Sequence, residues 1–140
     1  MHISGYIYLR ISGESLDFNE ISKMLNILPK NAYKKGDRKV LDNSEEITYK
    51  EDCWLAEYGI SAKTEISLAI NGFLSQFQKG HNYLRDISKR NEITLWISVY
   101  PNDIQANIHF PNHIVKMISD IGIDMDISMT YLEDFYAGKI

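Results

Sequence analysis

The chain has 140 residues, a hydrophobic fraction of 44% and a charged fraction of 24%, which is an ordinary composition for one soluble globular domain. A single domain of this length buries about two thirds of the surface of its unfolded chain. The formal net charge of −4 disfavours a protein that wraps nucleic acid, because binding to phosphates needs a basic face. We therefore expect one domain over residues 1–140, with a protein rather than a nucleic acid as its partner.

Cellular location is indicated by what the sequence lacks. No apolar run approaches the roughly 20 residues of a membrane span, and the first residues do not have the pattern of a secretion signal. The single cysteine, Cys53, allows no internal disulfide. These features predict a cytoplasmic protein without a membrane segment.

The first segment alternates with a period of two, which is typical of a half-buried strand. Its inward side has four aliphatic residues: Ile3, Ile7, Leu9 and Ile11. Its outward side carries Tyr6, Tyr8 and Arg10. Asp17 then has the position of a helix N-cap, with Glu20 three residues later, and the helical apolar stripe ends at Pro29.

Residues 29–52 show no sustained period, and we predict a long loop there. One interpretation is a solvated surface loop. The alternative is that its basic residues close over an anionic ligand near a tryptophan, through Lys34, Lys35, Gly36, Asp37, Arg38 and Trp54. A phosphate-binding loop of the form GxxxxGK[ST] is absent.

The middle of the chain predicts a strand over residues 53–60 and a helix capped by Ser61 or Thr64. Gly80 interrupts this helix, and residues 82–89 predict another helical segment.

The stretch from residue 93 to residue 131 has the clearest pattern. It predicts a strand over 93–100, a turn at 101–103 and a second strand over 104–110, which together form an antiparallel hairpin. A short helix then runs from Asn112 to a cap at Gly122, and a last alternating strand ends at Tyr131. The tail after Tyr131 has no clear period.

This order of elements predicts an α+β fold with a single, mainly antiparallel sheet and the helices packed on one face. Its strand-helix-strand units are related to those of ferredoxin-like folds. The other face would carry an aromatic and polar set: Tyr6, Tyr8, Arg10, Trp96, Tyr100, Gln105, Asn107, His109, Asp124 and Asp126. Tyrosine, tryptophan and arginine dominate binding hot spots, so this set, apart from Gln105, is our predicted site for a protein partner. The alternative is that the long loop or the second helix covers the rings as a secondary core. Stacking of RNA bases on such a face is disfavoured by the acidic balance.

No residues form a catalytic or metal-binding pattern. His109 and His113 are separated by Pro111 and share no helical face, and two aspartates on one strand are a weak metal signal without a third ligand. Cys53 has no activating base beside it in sequence, and the GxSxG, HExxH and GxGxxG motifs are absent. We predict no catalytic residue, no metal and no cofactor, and no motif in the sequence supports an enzyme.

Four runs of the sequence resemble the bacterial family called domain of unknown function 4279: YIYLRISGESLDFNEISKMLNILP, KKGDRK, CWLAEYGI and ISDIGIDMDISMTY. The resemblance implies a small bacterial single-domain protein of the cytoplasm with no assigned reaction. It also implies that Gly36, Asp37 and Trp54 are signature positions, without a role for them. By analogy, small acidic domains of this kind resemble immunity proteins, which bind and neutralise a toxin domain.

Two functional hypotheses follow. The first is a non-catalytic protein-binding module, an immunity protein whose aromatic and acidic surface covers a basic toxin domain. The alternative is a protein that binds a small anionic ligand, or an uncharacterised enzyme, that uses the basic residues 30–39.

Overall fold

The computed structural model describes residues 3–61, 64–100 and 108–130, and within them it contains seven strands and four α-helices. The strands are β1 Ile3–Gly13, β2 Asn31–Tyr33, β3 Arg38–Val40, β4 Glu46–Thr48, β5 Asp52–Ser61, β6 Glu92–Val99 and β7 Asp124–Met129. The helices are α1 Phe18–Leu25, α2 Ile66–Gln76, α3 His81–Ile87 and α4 Asn112–Ile121, with a 3-10 turn at Gln78–Gly80 between α2 and α3.

Five strands form the main sheet in the order β2, β5, β1, β6, β7, while β3 and β4 form a separate two-stranded ribbon. β1 lies at the centre and is antiparallel to both β5 and β6. β2 is antiparallel to β5, and only β7 is parallel to its neighbour β6. The predicted α+β class with a mainly antiparallel sheet is therefore confirmed. Of the strand-helix-strand units, β6, α4 and β7 make a parallel crossover, whereas β1 and β5 are antiparallel neighbours.

The helices cover one face of this sheet, where the inward residues of β1 alternate into the core as predicted. Ile7, Leu9 and Ile11 have no exposed surface. In the strand register they lie opposite Ile97, Leu95 and Ile93 of β6 on one side. On its other side β1 pairs with β5, where Ala56 lies opposite Leu9 and Trp54 lies opposite Ile11. The core is thus one layer of aliphatic and aromatic side chains between sheet and helices.

None of the helices in the described part of the chain combines the length and the apolar character needed to cross a membrane.

The predicted cap of α1 is confirmed. The Asp17 side chain accepts a hydrogen bond of 3.0 Å from the backbone N–H of Glu20, which satisfies one donor of the first helical turn. The helix ends earlier than expected, because Asn26 adopts a left-handed conformation with φ of 55° three residues before Pro29.

We expect Asp17→Ala to lower the free energy of unfolding by about 1 kcal/mol, because the N–H of Glu20 loses its acceptor. Asp17→Asn keeps an oxygen at the same place and should stay within a few tenths of a kcal/mol of the parent. Urea denaturation of the three proteins measures both differences. Equal losses in the two variants would show that the charge at this position matters and the cap does not.

The sequence predicted one long loop over residues 29–52. The structure instead has three short strands there, β2, β3 and β4. Three residues are too few to reveal a period of two, which is why these strands were missed. The expected N-cap of α2 was also wrong. Neither Ser61 nor Thr64 caps α2, whose N-cap is Glu65 without a side-chain hydrogen bond.

The predicted hairpin of residues 93–110 is only partly within the described residues. β6 forms as expected, but its described neighbours are β1 and β7. The turn at 101–103 and most of the second strand, residues 104–107, lie outside the described residues, and residues 108–110 form no strand. α4 begins and ends where predicted, with Gly122 in the left-handed region at φ of 81°. β7 also forms, while Tyr131 and the tail after it lie outside the described residues.

Candidate functional site

The face of the sheet turned away from the helices is here called the open face. Within the described residues it carries Tyr6, Tyr8, Arg10, Thr94, Trp96, Ser98, Asp124 and Asp126, and on β5 it carries Cys53, Leu55 and Glu57. Their positions follow from register, because directly opposite residues of neighbouring strands point to the same side. Tyr8 lies opposite Trp96, and Asp126 lies beside Trp96 on the next strand.

Three rings of the open face form a continuous line, here called the aromatic row: Tyr6, Tyr8 and Trp96. The Tyr6 and Tyr8 ring centroids are 6.0 Å apart with planes inclined by 29°. The Tyr8 and Trp96 centroids are 6.2 Å apart with planes inclined by 57°. Trp96 keeps 46% of its surface exposed, a large fraction for an indole on a regular strand. The row therefore presents aromatic surface on a rigid support.

Residues 31–49, here called the arm, contain β2, β3 and β4 and border the open face. Tyr33 and Tyr49 of the arm stack with ring centroids 4.3 Å apart and planes inclined by 12°. Between the arm and the open face lies a cleft with a volume of about 520 Å³. The cleft is lined by Tyr8, Arg10, Lys30, Asn31, Tyr33, Lys39, Tyr49, Cys53, Leu55, Trp96 and Ser98. A second hollow of about 400 Å³ lies toward β7 and shares Arg10 and Trp96 with the cleft.

The two sides of this surface differ in charge. Arg10, Lys30 and Lys39 line the cleft, and no carboxylate is among its described lining residues. Lys30 forms an ion pair with Glu57. Within the part of the chain that the structure describes, no carboxylate lies within ion-pair distance of the Arg10 guanidinium. Asp124 and Asp126 of β7 form the acidic side of the surface, and Asp126 lines the hollow toward β7 together with Arg10.

Two tyrosines of the cleft, Tyr8 and Tyr49, have a pKa above the ordinary tyrosine value. Burial raises the pKa of Tyr8, and the neighbouring carboxylate of Glu57 raises it further. Burial also raises the pKa of Tyr49, with a smaller contribution from the stacked Tyr33. In the structure the Tyr8 hydroxyl is hydrogen-bonded to the Glu57 side chain, and the Tyr49 hydroxyl is hydrogen-bonded to Tyr33.

The predicted ligand residues in the basic segment build a turn instead of lining the cleft. The Asp37 carboxylate accepts a hydrogen bond of 2.9 Å from the backbone N–H of Lys34, and the Asp37 N–H donates to the Lys34 carbonyl at 3.0 Å. Gly36 has a φ of 94°, which a side chain would disfavour, and its N–H donates to the carbonyl of Tyr49. Arg38 pairs with Glu46 across the ribbon of β3 and β4. The Gly36-Asp37 pair is thus explained by backbone geometry.

Asp52 ties this turn to the rest of the domain. Its carboxylate accepts hydrogen bonds from the backbone N–H groups of Leu16 at 3.0 Å and Lys35 at 2.8 Å. The Lys34 ammonium lies 3.5 Å from the same carboxylate and donates to the Leu16 carbonyl at 3.0 Å. These donors keep the pKa of Asp52 below its ordinary value, although only 5% of the residue is exposed.

Trp54 lies on the helix side of the sheet and has no exposed surface. Its indole N–H donates to the Ser22 hydroxyl of α1 at 3.2 Å. The neighbouring residue Cys53 points to the other side and lines the cleft, with 9% of its surface exposed. Trp54 is therefore a core residue and is not placed to contact a ligand in the cleft.

Six of the nine residues predicted to contact a protein partner share the open face: Tyr6, Tyr8, Arg10, Trp96, Asp124 and Asp126. Tyr100 follows β6 and is half-buried, and His109 is exposed in the segment before α4 and belongs to no strand. Asn107 and Gln105 lie outside the described residues. No group of three or more potential metal ligands occurs within the described ranges, and Asp124 and Asp126 belong to no such group.

Sequence reasoning did not name Tyr33 or Tyr49 of the arm, and it included Lys30 and Lys39 only as members of the basic segment 30–39. The available signal was the pair of tyrosines at either end of a charged segment that contains Gly36. A ribbon that reverses within this segment brings its ends together, and two rings at those ends can then stack.

Comparison with known proteins gives one match. The family model described as "Domain of unknown function (DUF4279)" matches residues 3–132, which is nearly the whole chain. No curated protein matches the sequence, and no solved structure matches it.

Proposed function

The chain belongs to the DUF4279 family of domains of unknown function, and we propose that it is a non-catalytic module that binds a protein partner on its open face. The observation that supports this proposal is the aromatic row of Tyr6, Tyr8 and Trp96. Its half-exposed indole lies between a tyrosine and an aspartate on three adjacent strands. Tyrosine and tryptophan bury a large area at a small loss of side-chain entropy, which is why they dominate hot spots.

The rigidity of the support favours the same function. The row stands on β1 and β6, whose other faces are fully buried in the core through residues such as Ile7 and Leu95. Side chains fixed by regular strands lose little freedom when a partner covers them. Binding would therefore need no rearrangement of the backbone.

We propose a basic partner, and specifically a toxin domain that this protein neutralises in the cytoplasm as an immunity protein. The net charge of −4 favours capture of a positively charged protein, and the acidic side of the open face, with Asp124 and Asp126, would meet it first. Opposite charges on two surfaces raise the association rate and disfavour wrong partners.

The test begins with capture of the tagged chain's partner from a lysate of its own organism, followed by affinity measurement with the purified partner. We expect a basic protein in stoichiometric amount. Trp96→Ala should weaken binding by about 30-fold or more, the scale of a hot-spot residue. Tyr8→Ala should weaken it in the same direction. Leu68→Ala is the matched control, because Leu68 is an exposed apolar residue, at 63%, on helix α2.

Three results would contradict the proposal. One is a captured protein whose affinity is the same for the parent and for Trp96→Ala. Another is a loss of binding in Leu68→Ala as large as that in Trp96→Ala, which would place the interface on the helices. The third is a captured partner that is acidic and whose binding does not weaken with added salt. This result would exclude a basic partner attracted by opposite charge.

A further inference from the structure

The cleft between the arm and the open face has the size of a small-molecule site. Its volume of about 520 Å³ lies within the range of about 300 to 1,000 Å³ that is usual for ligand pockets. Its walls come from two independent parts of the chain, the arm and the strands β1, β5 and β6. A ligand between them would contact both.

The charge of the cleft is opposite to that of the whole protein. The chain carries a net charge of −4, yet the lining residues include three cations and, among those described, no carboxylate. Lys30 is already neutralised by Glu57. Arg10 has no carboxylate within ion-pair distance in the described part of the chain, so its planar set of donors is available to a ligand. The cleft is thus suited to a compact anionic group.

Aromatic rings line the cleft from both parts of the chain. Tyr33 and Tyr49 stack in the arm, while Tyr8 and Trp96 contact each other on the open face. Rings on both walls favour a flat apolar ligand, since offset and edge-to-face contacts each stabilise such a complex. Lys39, with its ammonium 5.9 Å from the centroid of the Tyr33 ring, adds a second cation at the edge of the stack.

From these observations we propose that the cleft binds a small, flat aromatic molecule that carries a carboxylate or phosphate group. Arg10 and Lys39 hold the anionic group, and the rings of Tyr33, Tyr49 and Trp96 enclose the aromatic part. This site is additional to the proposed protein interface, with which it shares Tyr8 and Trp96.

The two tryptophans of the chain provide a selective measurement. Trp96 lines the cleft, whereas Trp54 is fully buried on the other side of the sheet and bonded to Ser22. In an NMR titration of the ¹⁵N-labelled protein with 2-naphthoate, we expect the indole N–H signal of Trp96 to shift with saturation. The Trp54 signal should remain in place. The variant Trp96→Phe assigns the two signals.

Variants and matched probes test each part of the proposal. Arg10→Met should lower the affinity for 2-naphthoate by about tenfold, the scale of one charge-assisted contact. Lys39→Met should lower it in the same direction, and serves as a second variant if Arg10→Met does not fold. Lys23→Met removes an exposed cation from α1 and should leave the affinity unchanged. The neutral 2-naphthalenemethanol should bind at least about tenfold more weakly than 2-naphthoate, since it cannot pair with Arg10.

Several outcomes would overturn the proposal. Equal affinities for 2-naphthoate and its neutral analogue would show that the cleft does not bind the anionic group. An unchanged affinity in both Arg10→Met and Lys39→Met would show the same. If inorganic phosphate shifts the Trp96 signal at the same concentrations as 2-naphthoate, the aromatic part of the ligand does not contribute to binding. A shift of the Trp54 signal as large as that of Trp96 would indicate general unfolding by the probe. The protein-partner proposal is tested separately, because the titration uses no partner and the capture experiment uses no small ligand.

Discussion

Replacement of Trp54 by alanine is expected to lower the free energy of unfolding by about 3 to 5 kcal/mol, the usual range for truncating a buried aromatic residue. Trp54 has no exposed surface and lies opposite Ile11 of the central strand, so its removal leaves a cavity between the sheet and the helices. The Ser22 hydroxyl also loses the hydrogen bond that it accepts from the indole N–H. Urea denaturation followed by far-ultraviolet circular dichroism measures the loss.

The matched control is the other tryptophan of the chain. Trp96→Ala removes the same side chain from the half-exposed open face and should change the free energy of unfolding by about 1 kcal/mol or less. If Trp54→Ala does not yield folded protein, Trp54→Phe keeps a ring in the core and should lose about 1 to 3 kcal/mol. Equal losses in Trp54→Ala and Trp96→Ala would contradict the assignment of Trp54 to the core.

The different positions of the two tryptophans show what the sequence could and could not predict. Within each strand, alternation correctly separated Trp54 from Cys53 and Trp96 from Leu95. Which side of β5 faces the helices depends on its register with β1, and register is a contact between residues far apart in the chain. The ligand hypothesis placed Trp54 near a ligand bound by the basic segment. In the structure Trp54 is buried in the core, and the basic segment forms a turn that is held by Asp52.

Elements with local determinants were predicted well. β1 and β7 were evident from alternation, and the start of α1 from Asp17 and Glu20, because these signals depend on residues only a few positions apart. β2 could not be predicted, since it is a strand only through its pairing with β5. The position of β7 in the sheet could not be predicted either, because its parallel pairing with β6 depends on a crossover through α4.

The candidate site was predicted in part for the same reason. Tyr8, Arg10 and Trp96 share a face because β1 and β6 pair in register, and both strands had a clear period. Tyr33 and Tyr49 lie in a segment with no period, and their stacking depends on the ribbon of β3 and β4. The basic segment was recognised in the sequence, but the separate roles of its lysines were not predicted. Lys34 stabilises the arm through Asp52, whereas Lys39 faces the cleft.

We expect Asp52→Ala to lower the free energy of unfolding by about 2 to 4 kcal/mol, because two backbone donors and one ammonium lose a nearly buried charged acceptor. The donors belong to Leu16, which precedes α1, and to Lys35 in the arm, so the change disconnects the arm from the body of the domain. Asp42→Ala is the control. Asp42 is exposed between β3 and β4, and its change should stay within about 0.5 kcal/mol. A loss in Asp52→Ala no larger than in Asp42→Ala would contradict this role.

The contribution of Asp52 should also depend on pH, with a definite sign. The backbone N–H groups of Leu16 and Lys35 lower the pKa of the folded carboxyl below its ordinary value of 3.8. A carboxyl with a lowered pKa stabilises the fold fully above the unfolded value, and this stabilisation is lost as the pH falls through the folded pKa. The difference in unfolding free energy between the parent and Asp52→Ala should therefore be constant from pH 7 to about 5 and shrink below about 4. Urea titrations at pH 7, 5 and 3 measure it, and a difference that grows on acidification would show that Asp52 is held in its protonated form.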